Sequence, residues 1–334
     1  MPAGFKRFSL LAVFLFVLNS LLFAVIKENK NAPNGPDGSY ELTIFVIPSY
    51  EPIEWKSPAT LIRSTVNSFM ESSFNKNLYP IGHLFIELKN SQGEALIRTS
   101  IASKRPSEQR RMILQDKIGL AMLGAPVEAR MESMEELEEK IDRFARRGRI
   151  SFISYKILPK AADRVIRYVE QFTSRDSLGK SPSDRYSGSF WPLYHNEGAG
   201  CSAFGMAALK LTGAKIDYPE WYVKVKVPYD LVGGKFNNML KVKPREVLKR
   251  DSWHDGSGQE WKDYYTHFIY DPSYIYHWIL KQLSAPELPE GFTRSTKTAP
   301  NGKVISGLSS DATDIKTPDG PIFIRRESQS VFIN

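Results

Sequence analysis

The 334-residue chain holds one cysteine, Cys201, and only five histidines. A single thiol excludes an intrachain disulfide and any zinc site built on several cysteines. His254, His267 and His277 do not fall at metal-ligand spacing, so neither a metal nor another cofactor is expected. There is no glycine loop of the phosphate-cradling kind, no serine on a strand-to-helix elbow, and no internal repeat. Charge of either sign is unexceptional. Lys and Arg number 45 against 37 Asp and Glu, a formal +8. That excess is too thin for a nucleic-acid binder and suits an anionic surface. Core material is plentiful. Hydrophobic residues make up 42%, with 19 Phe, 15 Tyr and 6 Trp, which excludes wholesale disorder. The length allows one large domain or two.

Residues 8–26 (FSLLAVFLFVLNSLLFAVI) carry no charge. As a helix this run spans roughly 28 Å, about the hydrocarbon core of a bilayer. Lys6 and Arg7 precede it, as in an export signal, and place the N-terminus on the cytoplasmic side. Residues 1–26 therefore read as a signal sequence or membrane anchor, the retained anchor being favoured. The remainder is then exported, facing the periplasm or the cell exterior. Residues 27–40, rich in Pro, Gly, Asn and charge, read as a linker.

A folded body is expected over 41–285, and an extended or poorly ordered tail over 286–334, where Pro, Ser, Thr, Gly and Asp accumulate. Within the body, 41–48 is a strand candidate. Ser57-Pro58 starts a helix with Leu61, Ile62, Val66, Phe69 and Met70 at helical spacing. Residues 81–89 and 94–101 read as a hairpin around Asn90-Ser91-Gln92-Gly93. A basic and apolar insert follows over 106–130. Helices are expected through Leu137, Ile141 and Phe144 and again after Pro159, with a strand at 150–158 between them. Residues 174–190 read as a loop, 201–211 as a short apolar helix closed by Gly213, and 221–227 as a strand.

Two short segments carry chemistry. Gly200-Cys201-Ser202-Ala203-Phe204-Gly205 opens the apolar helix after a glycine-rich turn. A cysteine there lies near unpaired backbone N–H groups and the positive end of the helix dipole, which favour thiolate over thiol. The same N–H groups suit the oxyanion of a tetrahedral intermediate. In Gly82-His83-Leu84-Phe85-Ile86-Glu87-Leu88, His83, Phe85 and Glu87 share one face of a strand and Leu84, Ile86 and Leu88 the other. An imidazole preset by a sheet is what a thiolate needs as partner, and it then protonates the leaving group. His195, six residues before the cysteine, is the second choice of base. Tyr186 and Tyr194 are placed to line a substrate cleft.

The order of these segments is itself informative. A glycine-histidine strand, a hairpin, a further strand and a helix precede the Cys201-Ser202-Ala203-Phe204 helix start. Over about residues 80–212 this resembles the circularly permuted papain-like family, which includes the permuted NlpC-like hydrolases and the lecithin:retinol acyltransferase-like enzymes. The resemblance implies an α+β fold in which an antiparallel sheet packs against the cysteine helix. It also implies Cys201 as nucleophile, His83 as general base and the Cys201 N–H as part of the oxyanion hole. The family places a polar residue on the strand after the histidine to orient the imidazole. Apolar pairing of the hairpin puts Arg98 there, and arginine has no acceptor. Glu94 and Ser100 are the remaining candidates for that third role. The sequence thus points to an exported thiol-dependent hydrolase cleaving an amide, a cell-wall peptide being favoured. A lipid-directed acyltransferase or lipase, its acyl chains guided by the apolar residues 119–124, is the alternative within enzymes. A membrane-tethered, non-catalytic binding module is the other. Membrane contact through the N-terminal run is expected, and neither nucleic acid nor a stable protein partner.

Overall fold

The structure is a computed structural model describing residues 38–74 and 79–333. The expected signal or anchor over 1–26 and most of the linker lie outside the described residues. No helix among the described residues is long and apolar enough to cross a membrane.

The protein is a mixed α+β fold. Its strands are β1 (Tyr40–Ile47), β2 (His83–Lys89), β3 (Ala95–Thr99), β4 (Ile101–Ser103), β5 (Val127–Met131), β6 (Ser151–Ile157), β7 (Arg185–Tyr186), β8 (Tyr222–Pro228), β9 (Tyr264–Tyr270), β10 (Phe292–Thr298) and β11 (Val304–Asp311). The helices are α1 (Pro58–Phe74), α2 (Pro106–Leu114), α3 (Met134–Arg146), α4 (Pro159–Thr173), α5 (Cys201–Thr212), α6 (Pro244–Val247) and α7 (Pro272–Ser284). Six strands form the main sheet in the order β10-β11-β6-β1-β2-β3. Its pairings are antiparallel except β11 with β6. Strands β4, β5 and β7 form a small second sheet, and β8 and β9 a ribbon.

Alternation along β1 and β2 divides the sheet into two apolar faces. Leu42, Ile44, Val46, Leu84, Ile86 and Leu88 pack with α4, α5 and α7. Phe45, Ile47, Phe85 and Phe152 pack with Leu137, Ile141 and Phe144 of α3. Helix α3 begins where a reciprocal capping box forms between Ser133 and Glu136, so its first turn is held before any tertiary contact. Helix α4 starts at Pro159, whose fixed φ suits the first helical position. The rings of Tyr168 and Phe172 on α4 meet Phe204 of α5 at centroid distances of 5.2 and 5.3 Å.

Three expectations are corrected. Residues 286–333 are not a tail. They supply β10 and β11 to the main sheet, and their last residues return to bury Phe332 in a second apolar cluster with Phe190, Leu231 and Tyr265. Alternation in Val304–Asp311 is masked by serine and glycine, so pairing with β6 rather than hydrophobicity holds that strand. On α1, Leu61 and Ile62 are buried but Val66 and Met70 are 49% and 52% exposed. The buried stripe there continues through Ser68, whose hydroxyl receives the Glu51 N–H. The apolar stretch 119–124 does not face the surface either: Leu120 and Ala121 are fully buried in the second cluster.

Candidate active site

The site lies where the end of β1, the start of β2 and the tip of α5 converge. Gly82 turns the chain into β2 with φ +77°. A Cβ on it would lie 3.1 Å from the Ile47 carbonyl and from the Ser49 nitrogen, so only glycine delivers the next residue at this position. That residue is His83, paired with Ile47 and 3% exposed. Its Nε2 meets Glu132 Oε2 at 2.6 Å, and Tyr79 stacks on the ring with a centroid separation of 4.6 Å. Because Nε2 is occupied by Glu132, Nδ1 is the ring atom left for the sulfur.

Cys201 is the first residue of α5, behind Gly200 in extended conformation. The thiol is 7% exposed. The segment before it is tied to β7, with Ala199 N–H donating to the Arg185 carbonyl and Ser187 N–H to that of Ala199. This brings the Tyr186 hydroxyl to 3.7 Å from Cys201 Sγ, which it faces as donor. His83 and the Leu84 backbone N–H lie near enough to favour the thiolate of Cys201 electrostatically.

Glu132 follows β5 and precedes the cap of α3. Its backbone N–H donates to the Ser100 carbonyl at 2.8 Å, and its carbonyl accepts from the Thr99 hydroxyl at 3.0 Å. Lys140, two turns along α3, pairs with the second carboxylate oxygen. The carboxylate therefore has a fixed orientation, one oxygen on the imidazole and one on an ammonium.

Electrostatics follow from this arrangement. Burial alone would lower the His83 pKa, but the Glu132 charge, with hydrogen bonds to Cys201 and Glu132, overrides it and raises the value to about 9. Burial opposes ionisation of Glu132, yet His83 and Lys140 bring it down to about 2. Burial also pushes the Cys201 thiol up. The His83 hydrogen bond and charge, the Leu84 N–H and the Tyr186 hydroxyl outweigh that, and the net direction is down. The arrangement favours imidazolium at His83 and carboxylate at Glu132 at neutral pH, and shifts Cys201 toward thiolate. Such a thiolate attacks a carbonyl, and the imidazolium is the acid for the departing group.

Cys201 and Tyr186 open onto a cleft of about 420 Å³. Its walls include Trp191, Tyr194, Phe268 and Tyr270. Of the residues expected from the sequence, Cys201, Tyr186 and Tyr194 line this cleft, while His83 is buried behind it, influencing Cys201. His195 is exposed, packs its ring 6.0 Å from Phe323 and does not line the cleft.

Neither candidate for the third role reaches the imidazole. Glu94 accepts from Asn90 in the hairpin turn, and the buried Ser100 hydroxyl donates to the Leu84 carbonyl at 2.6 Å. Arg98 pairs opposite Glu87 and forms an ion pair with it at 2.6 Å. The residue at the histidine is Glu132, missed because it lies among Glu135, Glu136, Glu138 and Glu139 and reads as one more solvated acid at a helix start.

Ser189 was also missed. It lines the cleft and bonds Nδ1 of the buried His267 at 3.2 Å. Burial lowers the pKa of that histidine to about 4, so it is neutral. Among the described residues no three metal-ligating side chains converge. No family model, no curated protein and no solved structure matches the chain.

Proposed function

We propose that the protein is a thiol-dependent hydrolase with a permuted papain-like fold, cleaving an amide bond in a cell-wall peptide. The observation that carries this reading is a His83–Glu132 hydrogen bond beside Cys201, whose thiol the imidazole favours as thiolate, at a helix tip that opens onto a cleft. The Cys201 thiolate attacks the carbonyl carbon. The N–H groups of the first turn of α5, which have no partner within the helix, receive the developing oxyanion. Imidazolium His83 gives its proton to the departing amine, and Cys201 keeps the acyl group as a thioester. Neutral His83 then takes a proton from water, hydroxide adds to the thioester, and the acid leaves as the thiolate is restored. Glu132 keeps the ring oriented and favours its protonated form throughout.

The family resemblance comes from the order of the histidine strand and the cysteine helix, together with an antiparallel β1-β2-β3 set against which α5 packs. The proposed location is outside the cytoplasmic membrane, tethered through residues 8–26. Strand β1 leads from the linker side at Tyr40 to the site at Ile47, a rise of about 23 Å. The linker thus joins the end of the sheet remote from the cleft, which favours a wall peptide over a membrane lipid. Burial of Leu120 and Ala121 also leaves the acyltransferase reading without the acyl guide that motivated it.

The test uses the full chain in detergent with labelled wall peptides and phospholipids in separate reactions. The proposal expects new amino termini from the peptides, none from Cys201→Ala, and no fatty acid. Fatty-acid release alone makes the protein a lipase. Release from neither substrate, with the biological phenotype retained in Cys201→Ala, makes it a binding module.

A further inference from the structure

The cleft has an uneven charge. Its lining includes two cations, Lys210 and Arg326, and no carboxylate. The two cations differ. Arg326 is neutralised by the buried Glu197, with Nη2 at 2.9 Å from Oε2, and stacks 4.3 Å over the Tyr194 ring. Lys210 has no ion pair among the described residues. Its ammonium rests 5.6 Å above the face of Trp191, itself a cleft wall.

Lys210 stands on the helix that begins with the nucleophile. Nine residues separate it from Cys201, an axial rise of about 13 Å. Ala203, also in the lining, is seven residues before Lys210 and therefore on the same face. The cleft is therefore bordered both by the helix tip and, on the Ala203 face, by an unneutralised cation above the Trp191 indole. An extended peptide advances about 3.3–3.6 Å per residue, so the axial rise takes about four residues, and the half-turn of azimuth between Cys201 and Lys210 makes that a minimum.

We propose that Lys210 forms a distal anion subsite that selects peptides carrying a carboxylate at least about four residues from the bond cleaved at Cys201. This rests on the reading of Cys201 as nucleophile and adds the substrate class. Aromatic walls hold the intervening chain by its flat surfaces, while the ammonium supplies a contact that favours an anion. Since the Lys210 side chain is exposed, the charge acts through solvent and contributes modestly.

The experiment exploits the single thiol. Probes of the form maleimidoacetyl-(Ala)n-Glu amide and maleimidoacetyl-(Ala)n-Gln amide, with n from 0 to 4, react with the full-length protein, and mass spectrometry reads modification of Cys201. The expected Glu/Gln rate ratio is about fivefold at n near 3. It falls toward one at n = 0, toward one in Lys210→Gln, and is restored in Lys210→Arg. A ratio that does not vary with n, or that survives in Lys210→Gln, overturns the subsite. A phosphoethanolamine-capped probe of equal reach that outpaces the Glu probe overturns the peptide carboxylate in favour of a lipid headgroup. If every probe reacts no faster than with free cysteine, the catalytic reading fails, while the Glu/Gln ratio still decides the subsite.

Discussion

Replacing Glu132 by glutamine keeps the shape of the site and removes one charge. His83 has a pKa of about 9 in the folded protein against an ordinary 6.5. At 1.36 kcal/mol per unit, the net preference for imidazolium is about 3 kcal/mol. Burial works against that preference, so the carboxylate and the sulfur together supply more than the net. In Glu132→Gln the ring keeps its burial and loses its main counter-charge. Its pKa then falls below 9, and the neutral thiol–imidazole pair gains on the ion pair at neutral pH. Iodoacetamide reads this directly, because only the thiolate reacts and Cys201 is the only thiol. The native protein is expected to react faster at neutral pH than an ordinary thiol, because its thiol pKa is lowered, with an inflection where His83 loses its proton near 9. The variant is expected to be slower at pH 6.5 by at least about tenfold, recovering only as the thiol ionises unaided. Stability moves on both flanks. The raised His83 pKa stabilises the fold below 6.5, a contribution lost as pH rises through about 9. The depressed Glu132 pKa stabilises it above 4.5, a contribution lost as pH falls toward about 2. Both flanks flatten in the variant. Superimposable alkylation profiles for the two proteins, with circular dichroism unchanged, refute the idea that the Glu132 charge holds the imidazolium.

Other perturbations probe separate parts of the structure. Cys201→Ser removes the thiolate while leaving Tyr186, His83 and the helix tip in place, and peptide turnover is expected to fall at least about a thousandfold with little change in Tm. Arg326→Ala leaves the Glu197 carboxylate, 2% exposed, with the Trp191 backbone N–H as its remaining side-chain hydrogen bond among the described residues. The expected cost is about 3–5 kcal/mol in urea unfolding, and a loss under 1 kcal/mol contradicts the assigned pairing. Gly205→Ala puts a Cβ 2.1 Å from Leu84 Cδ2, in a region without space. Destabilisation of about 1–3 kcal/mol is expected, with slower Cys201 alkylation as α5 shifts off β2; unchanged values of both refute the close packing of helix on strand.

Much of the central fold is legible in the sequence because its signals are local. β1, β2, β3, β6, α3, α4 and α5 each announce themselves by alternation, helical spacing, a cap or a proline within their own residues. The region after Pro228 is harder. Tyr264–Tyr270 alternates less in hydropathy than in size, and Pro272–Ser284 mixes Tyr, His and Trp with lysine. Phe292–Thr298 and Val304–Asp311 owe their strand state to pairing with each other and with β6, partners a composition window does not contain. The misplaced stripe of α1 has the same origin. Val66, Phe69 and Met70 keep helical spacing, but the neighbouring chain at Glu51 and Pro80 offers hydrogen-bonding groups, so Ser68 rather than an apolar side chain turns toward it.

The site divides along the same line. A thiol at a helix start and an imidazole at a strand start are each visible locally, and their partnership follows from the order of elements. Glu132 is 49 residues from His83 and reaches it only because the chain changes sheets at Ser100. β3 pairs with β2 in the main sheet, whereas β4 pairs with β5 in the second. The bend between them is fixed by the Ser100 hydroxyl on the Leu84 carbonyl and the Glu132 N–H on the Ser100 carbonyl. Ser100, considered as an imidazole partner in its own right, acts one step back, holding the backbone that aims the carboxylate. Along the chain, the hairpin neighbour one strand after the histidine is the nearest source of a partner. The fold instead draws the acid from the end of β5, the partner of the strand beyond the bend. Only there does the following helix add Lys140, which joins His83 in keeping the buried carboxylate ionised, and that carboxylate keeps His83 charged against its own burial.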